Sequence, residues 1–215
     1  MPHIRLLDAD FLVNLVRTLS LIKKYENTTD DKIDQICRHC QYTLVSSTTV
    51  QIEVNDKIGL KRPTEHDLFF ASKKQDAMRI KKIIFDNVRF IDVRKNTLLK
   101  ILQSTRPRDP GEQTLVVLLS SKYSSYVNSS ANDSVKIISN NSKDIIPLLR
   151  TVKGLNQSLS RMNEANIVAS NYDFYHDLFN QLQFEKSFKN YYYFVSNIDA
   201  RLYDKNKMNH LVNRE

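Results

Sequence analysis

The feature that most constrains the fold of this chain is a regular alternation of short apolar runs with longer segments of helical periodicity. Ile4–Leu7 has the length and apolar content of a short buried strand, and Phe11–Lys24 then carries apolar residues at helical spacing. The alternation predicts strands at Ile4–Leu7, Tyr42–Ser46, Arg89–Val93, Val135–Ser139 and Asn166–Ala169. Such alternation predicts an α/β fold with helices on both faces of a parallel sheet.

Helical patterns occupy the segments that follow these strands. Helices are predicted at Phe11–Lys24, Asp31–His39, Thr48–Ile58, Lys73–Phe85, Leu98–Gln103, Gly111–Lys122, Lys143–Val152 and Tyr172–Leu182. The Ser- and Asn-rich stretch Tyr123–Asp133 predicts a mobile loop.

Together these elements predict a three-layer α/β/α domain over residues 1–182 and a C-terminal helical extension over residues 183–215. We expect the strand order 3-2-1-4-5, because this order places the first and fourth strands side by side at the centre of the sheet. Two roles are open to the extension, which either packs on the domain as an added helix or forms an oligomer interface, such as that of a homodimer.

The charge of the chain favours a polyanionic partner. Thirty-two Lys and Arg residues against 24 Asp and Glu residues give a net charge of +8 and a pI near 9.4. Nucleic acid is the commonest partner of such a chain, and an anionic membrane is the second. Neither a secretory signal nor a membrane-spanning apolar run is evident, which predicts a cytoplasmic protein without membrane contact.

Much of the positive charge lies between Lys57 and Arg108, a stretch that contains fourteen basic residues and only five acidic ones. The candidate nucleic-acid-binding residues in this stretch, which flank the acidic residues described next, are Lys57, Lys61, Arg62, Arg106 and Arg108. For the group Lys73–Lys82, an ordinary solvated helix face is an equally good interpretation.

The only cysteines are Cys37 and Cys40, which form a CxxC pair. A zinc site would need a second pair of ligands, and the nearby sequence supplies none. We therefore interpret both as ordinary reduced residues on a helix.

Acidic or amide side chains follow several of the predicted strands. Asp8 ends the first strand, Glu53 lies in the helix after the second, and Glu112 lies in the first turn of a later helix. Asn141 and Asp144 follow the fourth strand. Because the carboxyl ends of parallel strands meet at one edge of the sheet, we expect these side chains to converge there.

This order of motifs resembles the PIN domain family. The matching segments, within residues 4–182, are LLDADFLVNL, SSTTVQIEV, PGEQTLVVLL and IISNNSKDI. The family carries an Asp at the end of the first strand, a Glu on the helix after the second, a "GE" or "GD" that opens a later helix, and a "T-N-D-x-D"-like turn after the fourth strand. The resemblance implies a Mg²⁺- or Mn²⁺-dependent ribonuclease and, for many members, the toxin of a toxin–antitoxin pair with a protein antitoxin as partner.

The resemblance also implies the roles of the site residues. Asp8 and Glu112 would be the central metal ligands, Glu53 would bind a metal or orient a water molecule, and Asn141 and Asp144 would complete the far side. The catalytic set is then Asp8, Glu53, Glu112 and Asp144. Clustered carboxylates suit phosphodiester hydrolysis because they hold hard cations that supply positive charge to the reaction.

Each acid also has an ordinary structural role open to it. Asp8 could cap the following helix, and Glu53 could form a surface ion pair with Lys57 one helical turn later. Glu112 stands at the third position of a capping box that begins at the Asp three residues earlier. Asp144 could simply complement the dipole of its own helix.

The sequence departs from the family after the fourth strand, where Asn140 and Asn141 stand in place of the usual acid. A neutral amide withdraws one negative charge from the site, so metal affinity is expected to fall. The alternative function is therefore a catalytically weakened or inactive PIN-like module that binds RNA or a protein partner. A flavodoxin-like or receiver-like regulator is a more distant alternative, because the Gly-rich phosphate loop and the partner Lys of those folds are not evident.

Overall fold

The structure is a computed structural model, and it describes residues 3–25, 29–38, 41–58, 74–105, 110–127, 134–171 and 173–174. The chain divides into two compact units. The first comprises Met1–Phe11, Gln41–Asn55 and Val88–Tyr175, and the second comprises Leu12–Cys40, Asp56–Asn87 and His176–Glu215. The predicted C-terminal extension, residues 183–215, lies outside the described residues.

The first unit contains a sheet of five parallel strands. They are β1 (His3–Leu7), β2 (Tyr42–Ser47), β3 (Arg89–Ile91), β4 (Val135–Ile138) and β5 (Val168–Ala169). Their order in the sheet is β3-β2-β1-β4-β5, which confirms the predicted order. Every neighbouring pair is parallel, so all five carboxyl ends lie at the same edge.

Helices alternate with these strands along the chain, as predicted. They are α1 (Ala9–Tyr25), α2 (Asp30–Arg38), α3 (Thr48–Ile58), α4 (Lys74–Asp86), α5 (Thr97–Thr105), α6 (Pro110–Lys122), α7 (Ser124–Val127), α8 (Ser142–Leu155) and α9 (Glu164–Ile167), with a 3₁₀ turn at Gln157–Leu159. Within the described ranges, no helix combines the length and the apolar content that crossing a bilayer requires.

Helix α6 is the central helix of the first unit. All of its residues from Gln113 to Ser120 are buried, because it packs against α5, α8, β1 and β2. Pro110 begins the helix, a position where the missing backbone N–H costs no helical hydrogen bond. The first turn of α6, which carries Gly111 and Glu112, is therefore held firmly in place.

The second unit is helical in its described part. Helices α2 and α4 pack together, and Ile33, Ile80 and Ile84 are fully or almost fully buried. The basic group on α4 is partly paired, because Lys82 Nζ lies 2.6 Å from Asp86 Oδ2. This pairing agrees with the interpretation of α4 as a solvated helix face.

The predictions for two strands and one loop were wrong in extent. The third strand ends at Ile91, and the fifth covers Val168–Ala169 without the two residues before it. Those two residues belong to α9, since the side chain of Asn163 caps that helix by accepting a hydrogen bond from Ala165 N. Tyr123–Asp133 includes the helical turn α7, and residues 128–133 lie outside the described part of the chain.

Candidate functional site

The candidate site lies where β1 and β4 end, next to each other at the centre of the sheet. The ladder between them continues one residue past β1, because Asp8 N donates to Ile138 O at 3.2 Å. Ser139 N in turn donates to Ala169 O at 3.1 Å, which extends the pairing with β5. The structure thus brings Asp8 and the segment after β4 together, as the strand order predicts.

Asp8 is a buried carboxylate held by two hydrogen bonds. Its side chain is in the core, with 4% of the residue exposed. Oδ1 accepts from Ala9 N at 2.7 Å, and Oδ2 accepts from the hydroxyl of Ser139, also at 2.7 Å. The bond to Ala9 is at the start of α1, so Asp8 satisfies one backbone N–H at the beginning of that helix.

Burial raises the pKa of Asp8 to about 7, from its ordinary value of 3.8. The hydrogen bond from Ser139 opposes this shift, and the negative charge of Glu112 adds to it. Of the two smaller effects, the backbone hydrogen bond from Ala9 lowers the pKa and the negative charge of Asp10 raises it. The neighbouring charges that raise the pKa are therefore both negative. A cation beside Asp8 would oppose this shift, because it favours the ionised carboxylate.

Glu53 reaches the same place from α3. A Cβ atom built on Gly111 would lie 3.0 Å from Glu53 Oε2 and 3.8 Å from Asp8 Oδ1. Two carboxylates from different elements therefore face the first turn of α6. Because Gly111 has no side chain, the space between the first turn of α6 and these two carboxylates is left open.

Asn141 connects this segment to the third acid. Its Nδ2 donates to Glu112 Oε1 at 2.9 Å, and its backbone N donates to Ser139 Oγ at 3.0 Å. Asn141 occupies the position before α8, but its side chain makes no capping hydrogen bond to that helix. The predicted neighbour of the acids is thus in place, with its amide nitrogen turned towards Glu112.

A chain of hydroxyls supports the helices that carry these acids. Thr114 Oγ1 donates to Gly111 O at 2.7 Å, so Ser47 Oγ is the donor in the 2.6 Å hydrogen bond between the two hydroxyls. Ser47 Oγ also accepts from Val50 N at 3.1 Å and so caps α3. This cap is a local hydrogen bond, whereas the contact with Thr114, 67 residues away, has no local signal in the sequence.

The remaining candidate residues are placed elsewhere or lie outside the description. Asp144 is in the first turn of α8, where its backbone N donates to Asn141 O at 3.1 Å. Lys57 lies in the last turn of α3. The residues outside the described ranges are Lys61, Arg62, Arg106 and Arg108, together with Cys40 and the capping-box residue Asp109.

The donor atoms present at the site suit a hard divalent cation. Asp8, Glu53 and Glu112 supply carboxylate oxygens, which Mg²⁺ and Mn²⁺ prefer. The amide of Asn141 would have to turn over to present its oxygen to a cation. Across the part of the chain that the structure describes, no group of three or more His, Cys, Asp or Glu side chains is arranged as a metal site.

The role of Gly111 leads to a first testable prediction. Gly111→Ala is expected to displace the Glu53 carboxylate and to lower Mn²⁺ affinity about tenfold, the scale of effects in the shell around metal ligands. Thermal stability should change little, because the gain in helix propensity offsets the close contact. Calorimetric Mn²⁺ titration and thermal unfolding measure the two effects.

The chain offers a matched control for this variant. Gly154 is also helical, and a Cβ atom there would meet nothing within 4 Å. Gly154→Ala should therefore raise stability without changing Mn²⁺ affinity. Equal affinity in the Gly111→Ala variant and the wild type would show that the space at Gly111 has no part in cation binding.

Comparisons of this chain with protein-family models, with curated proteins and with solved structures gave no match. The resemblance to the PIN domain family therefore stays a hypothesis. It rests on the motifs in the sequence and on the convergence of Asp8, Glu53 and Glu112 at one edge of the sheet.

Proposed function

We propose that this protein is a Mg²⁺- or Mn²⁺-dependent ribonuclease whose acidic site contains Asp8, Glu53 and Glu112. The observation that carries the proposal is the state of Asp8. Its carboxylate is buried, faces Glu53 across the first turn of α6, and has a pKa of about 7, raised by burial and by Glu112. Burying clustered acids has a cost that a bound cation would offset, so the arrangement favours a functional role over a structural one.

In the proposed reaction each residue has a stated task. Asp8 and Glu112 would hold the cation, and Glu53 would orient a water molecule beside it. When bound, Mg²⁺ or Mn²⁺ supplies positive charge that polarises the phosphodiester and lowers the pKa of water. Ser139 holds Asp8 in place through its hydroxyl, which leaves the Asp8 carboxylate accepting rather than donating at that oxygen.

RNA as the substrate is supported by the family resemblance and by the charge of the chain, which is +8 overall. Basic residues close in sequence to the acids would contact the phosphates of a bound strand and position it. In the toxin interpretation, a protein antitoxin would cover the same acidic edge.

These phosphate contacts give a second prediction. The double variant Arg106→Ala, Arg108→Ala should weaken RNA binding to a similar degree across sequences, because phosphate contacts carry no base information. The slope of log affinity against log salt concentration should become less steep by about two, because two fewer phosphate contacts release counterions. Fluorescence anisotropy at several salt concentrations measures both.

Lys82→Ala is the control, since Lys82 is already paired with Asp86. Unchanged affinity and salt slope in the double variant would remove both residues from the binding surface.

The proposed function is tested by incubating the protein with a panel of structured and single-stranded RNAs while Mg²⁺ or Mn²⁺ is titrated. We expect cleavage that requires the cation, stops with EDTA and is lost in Glu112→Gln. Single-stranded DNA of the same sequences provides the comparison for substrate class. Intact RNA at every cation concentration would contradict the proposal, as would cleavage at wild-type rate in the Glu112→Gln variant.

One observation favours the second candidate, a PIN-like module that binds RNA or a protein partner without catalysis. Asn141 Nδ2 donates to Glu112 Oε1 at 2.9 Å, so this acid has a hydrogen-bond donor without any cation. Together with the raised pKa of Asp8, which favours its neutral form, this bond would stabilise the site without a cation. RNA binding that is equally tight with and without EDTA, accompanied by no cleavage, is the result expected for this second function.

A further inference from the structure

The segment that follows β4 is anchored at its middle residue. Asn140 is solvent-exposed, yet its side-chain Oδ1 accepts a hydrogen bond from Asn171 N at 3.0 Å. The sequence suggested Asn140 as a substitute for a missing acidic ligand. Its side-chain oxygen instead contacts the backbone that follows β5.

The anchor point at Asn171 lies in the protein interior. Asn171 is fully buried, and the residue before it caps the helical turn that begins here: Ser170 Oγ accepts from Asp173 N at 3.1 Å and donates to Asp173 Oδ2 at 2.7 Å. A fixed hydrogen-bond donor therefore faces Asn140. By itself this bond would be an ordinary helix cap supplied by a neighbouring segment.

The residues on either side of Asn140 both donate hydrogen bonds to acids of the candidate site. Ser139 Oγ donates to Asp8 Oδ2, and Asn141 Nδ2 donates to Glu112 Oε1. Successive Cα atoms are about 3.8 Å apart, so anchoring residue 140 limits how far both neighbours can move. Three consecutive side chains thus connect the segment to three different elements.

We propose that Asn140 is a positioning residue that holds Ser139 and Asn141 against the carboxylates of the site. Its consequence for cation binding rests on the function proposed above, whereas its consequence for Asn141 does not. Without the bond to Asn171, Asn141 would lose its fixed distance to Glu112. The contact between these two side chains would then be made only part of the time.

The test uses three variants of the full chain. Asn140→Leu keeps the size of the side chain and removes the acceptor oxygen. Asn140→Asp keeps the acceptor, and its negative charge is favourable at the N-terminal end of a helix. Asn163→Leu is the control. Asn163 also caps a helix, because its side chain accepts from Ala165 N at 3.2 Å, but this cap is at the start of α9 and not at the candidate site.

Two measurements are made on each variant. The first is the position and hydrogen exchange of the Asn141 side-chain amide resonances by ¹⁵N NMR, and the second is the affinity for Mn²⁺ alone by calorimetry. We expect Asn140→Leu to shift the Asn141 resonances, to speed their exchange and to lower Mn²⁺ affinity about tenfold. In both Asn140→Asp and Asn163→Leu, the Asn141 resonances and the Mn²⁺ affinity should stay at the wild-type values.

The two proposals fail in different ways. Wild-type Asn141 resonances in Asn140→Leu would overturn the positioning role whether or not the protein binds a cation. An equal shift in Asn163→Leu would overturn it too, because the effect would then be one of general stability. If the wild-type protein binds no Mn²⁺, the proposed cation site fails, and the Asn141 resonances alone decide the role of Asn140.

Discussion

Replacing Asp8 by Asn is expected to reduce RNA cleavage by about 100-fold or more and, at the same time, to stabilise the cation-free protein at pH 8. The loss of cleavage follows from removing a charged ligand that supplies several kcal/mol of electrostatic stabilisation through the cation. The fold should tolerate the change. The Asn oxygen can accept from Ala9 N, and its amide nitrogen can donate to Ser139 Oγ.

The gain in stability depends on pH with a defined sign. Because the pKa of Asp8 is raised in the folded state to about 7, the folded protein binds a proton more tightly than the unfolded chain. The contribution of Asp8 to stability is therefore greatest below the unfolded pKa of 3.8, decreases as pH rises towards 7, and is level above that. The cost at pH 8 is up to about 4 kcal/mol. Asn carries no charge, so Asp8→Asn avoids this cost.

Thermal unfolding from pH 4 to pH 8 measures the effect, with EDTA present. Asp92 is a matched control, because it also follows a strand of the sheet but is exposed and bound by Arg94, which lowers its pKa to about 2. A depressed pKa stabilises the protein above 3.8, so Asp92→Asn should lower stability slightly and leave cleavage unchanged. A pH-independent difference between Asp8→Asn and wild type would contradict the account of the Asp8 environment.

Replacing Asn141 by Asp should have two opposite effects that depend on the cation. In EDTA the variant loses the hydrogen bond to Glu112 and gains a repulsive carboxylate beside it, so its unfolding temperature should fall. In Mn²⁺ the added charge should raise cation affinity about tenfold, equivalent to about 1.4 kcal/mol. The unfolding temperature should therefore rise more steeply with Mn²⁺ concentration than in the wild type.

Asn163→Asp adds the same charge at a residue that caps α9 and precedes β5, whereas Asn141 follows β4. This variant should respond to Mn²⁺ as the wild type does. If Asn141→Asp binds Mn²⁺ no more tightly than the wild type, residue 141 does not face the cation site. Higher affinity with faster RNA cleavage would support the ribonuclease, whereas higher affinity without any cleavage would support the non-catalytic module.

The arrangement of the fold was predictable because its signals are local. Apolar runs and helical periodicity determine which segments form strands and helices, and the strand order then follows from the few ways in which a parallel sheet connects. The fifth strand shows where local signals compete. The apolar run Asn166–Ala169 predicted a strand, but the cap at Asn163 draws its first half into α9.

The candidate site was predictable in position but not in detail. Asp8 and Asn141 follow adjacent strands, so their proximity depends only on the strand order. The orientation of the Asn141 amide depends on where Glu112 lies, which is set by the packing of α6 against the sheet. For the same reason, no sequence pattern could indicate that Ser47 contacts Thr114 or that Asn140 binds the backbone of Asn171.

The central claim is that the carboxylates at the end of β1 and at the start of α6 hold a divalent cation. Crystals of the full chain soaked in Mn²⁺ test it most directly, because the anomalous signal of manganese locates the ion without assumptions about activity. The account predicts one strong peak in contact with oxygens of Asp8 and Glu112, near Glu53, and its loss in Asp8→Asn crystals. No peak between these carboxylates at saturating Mn²⁺, or a peak that persists unchanged in Asp8→Asn, would contradict it.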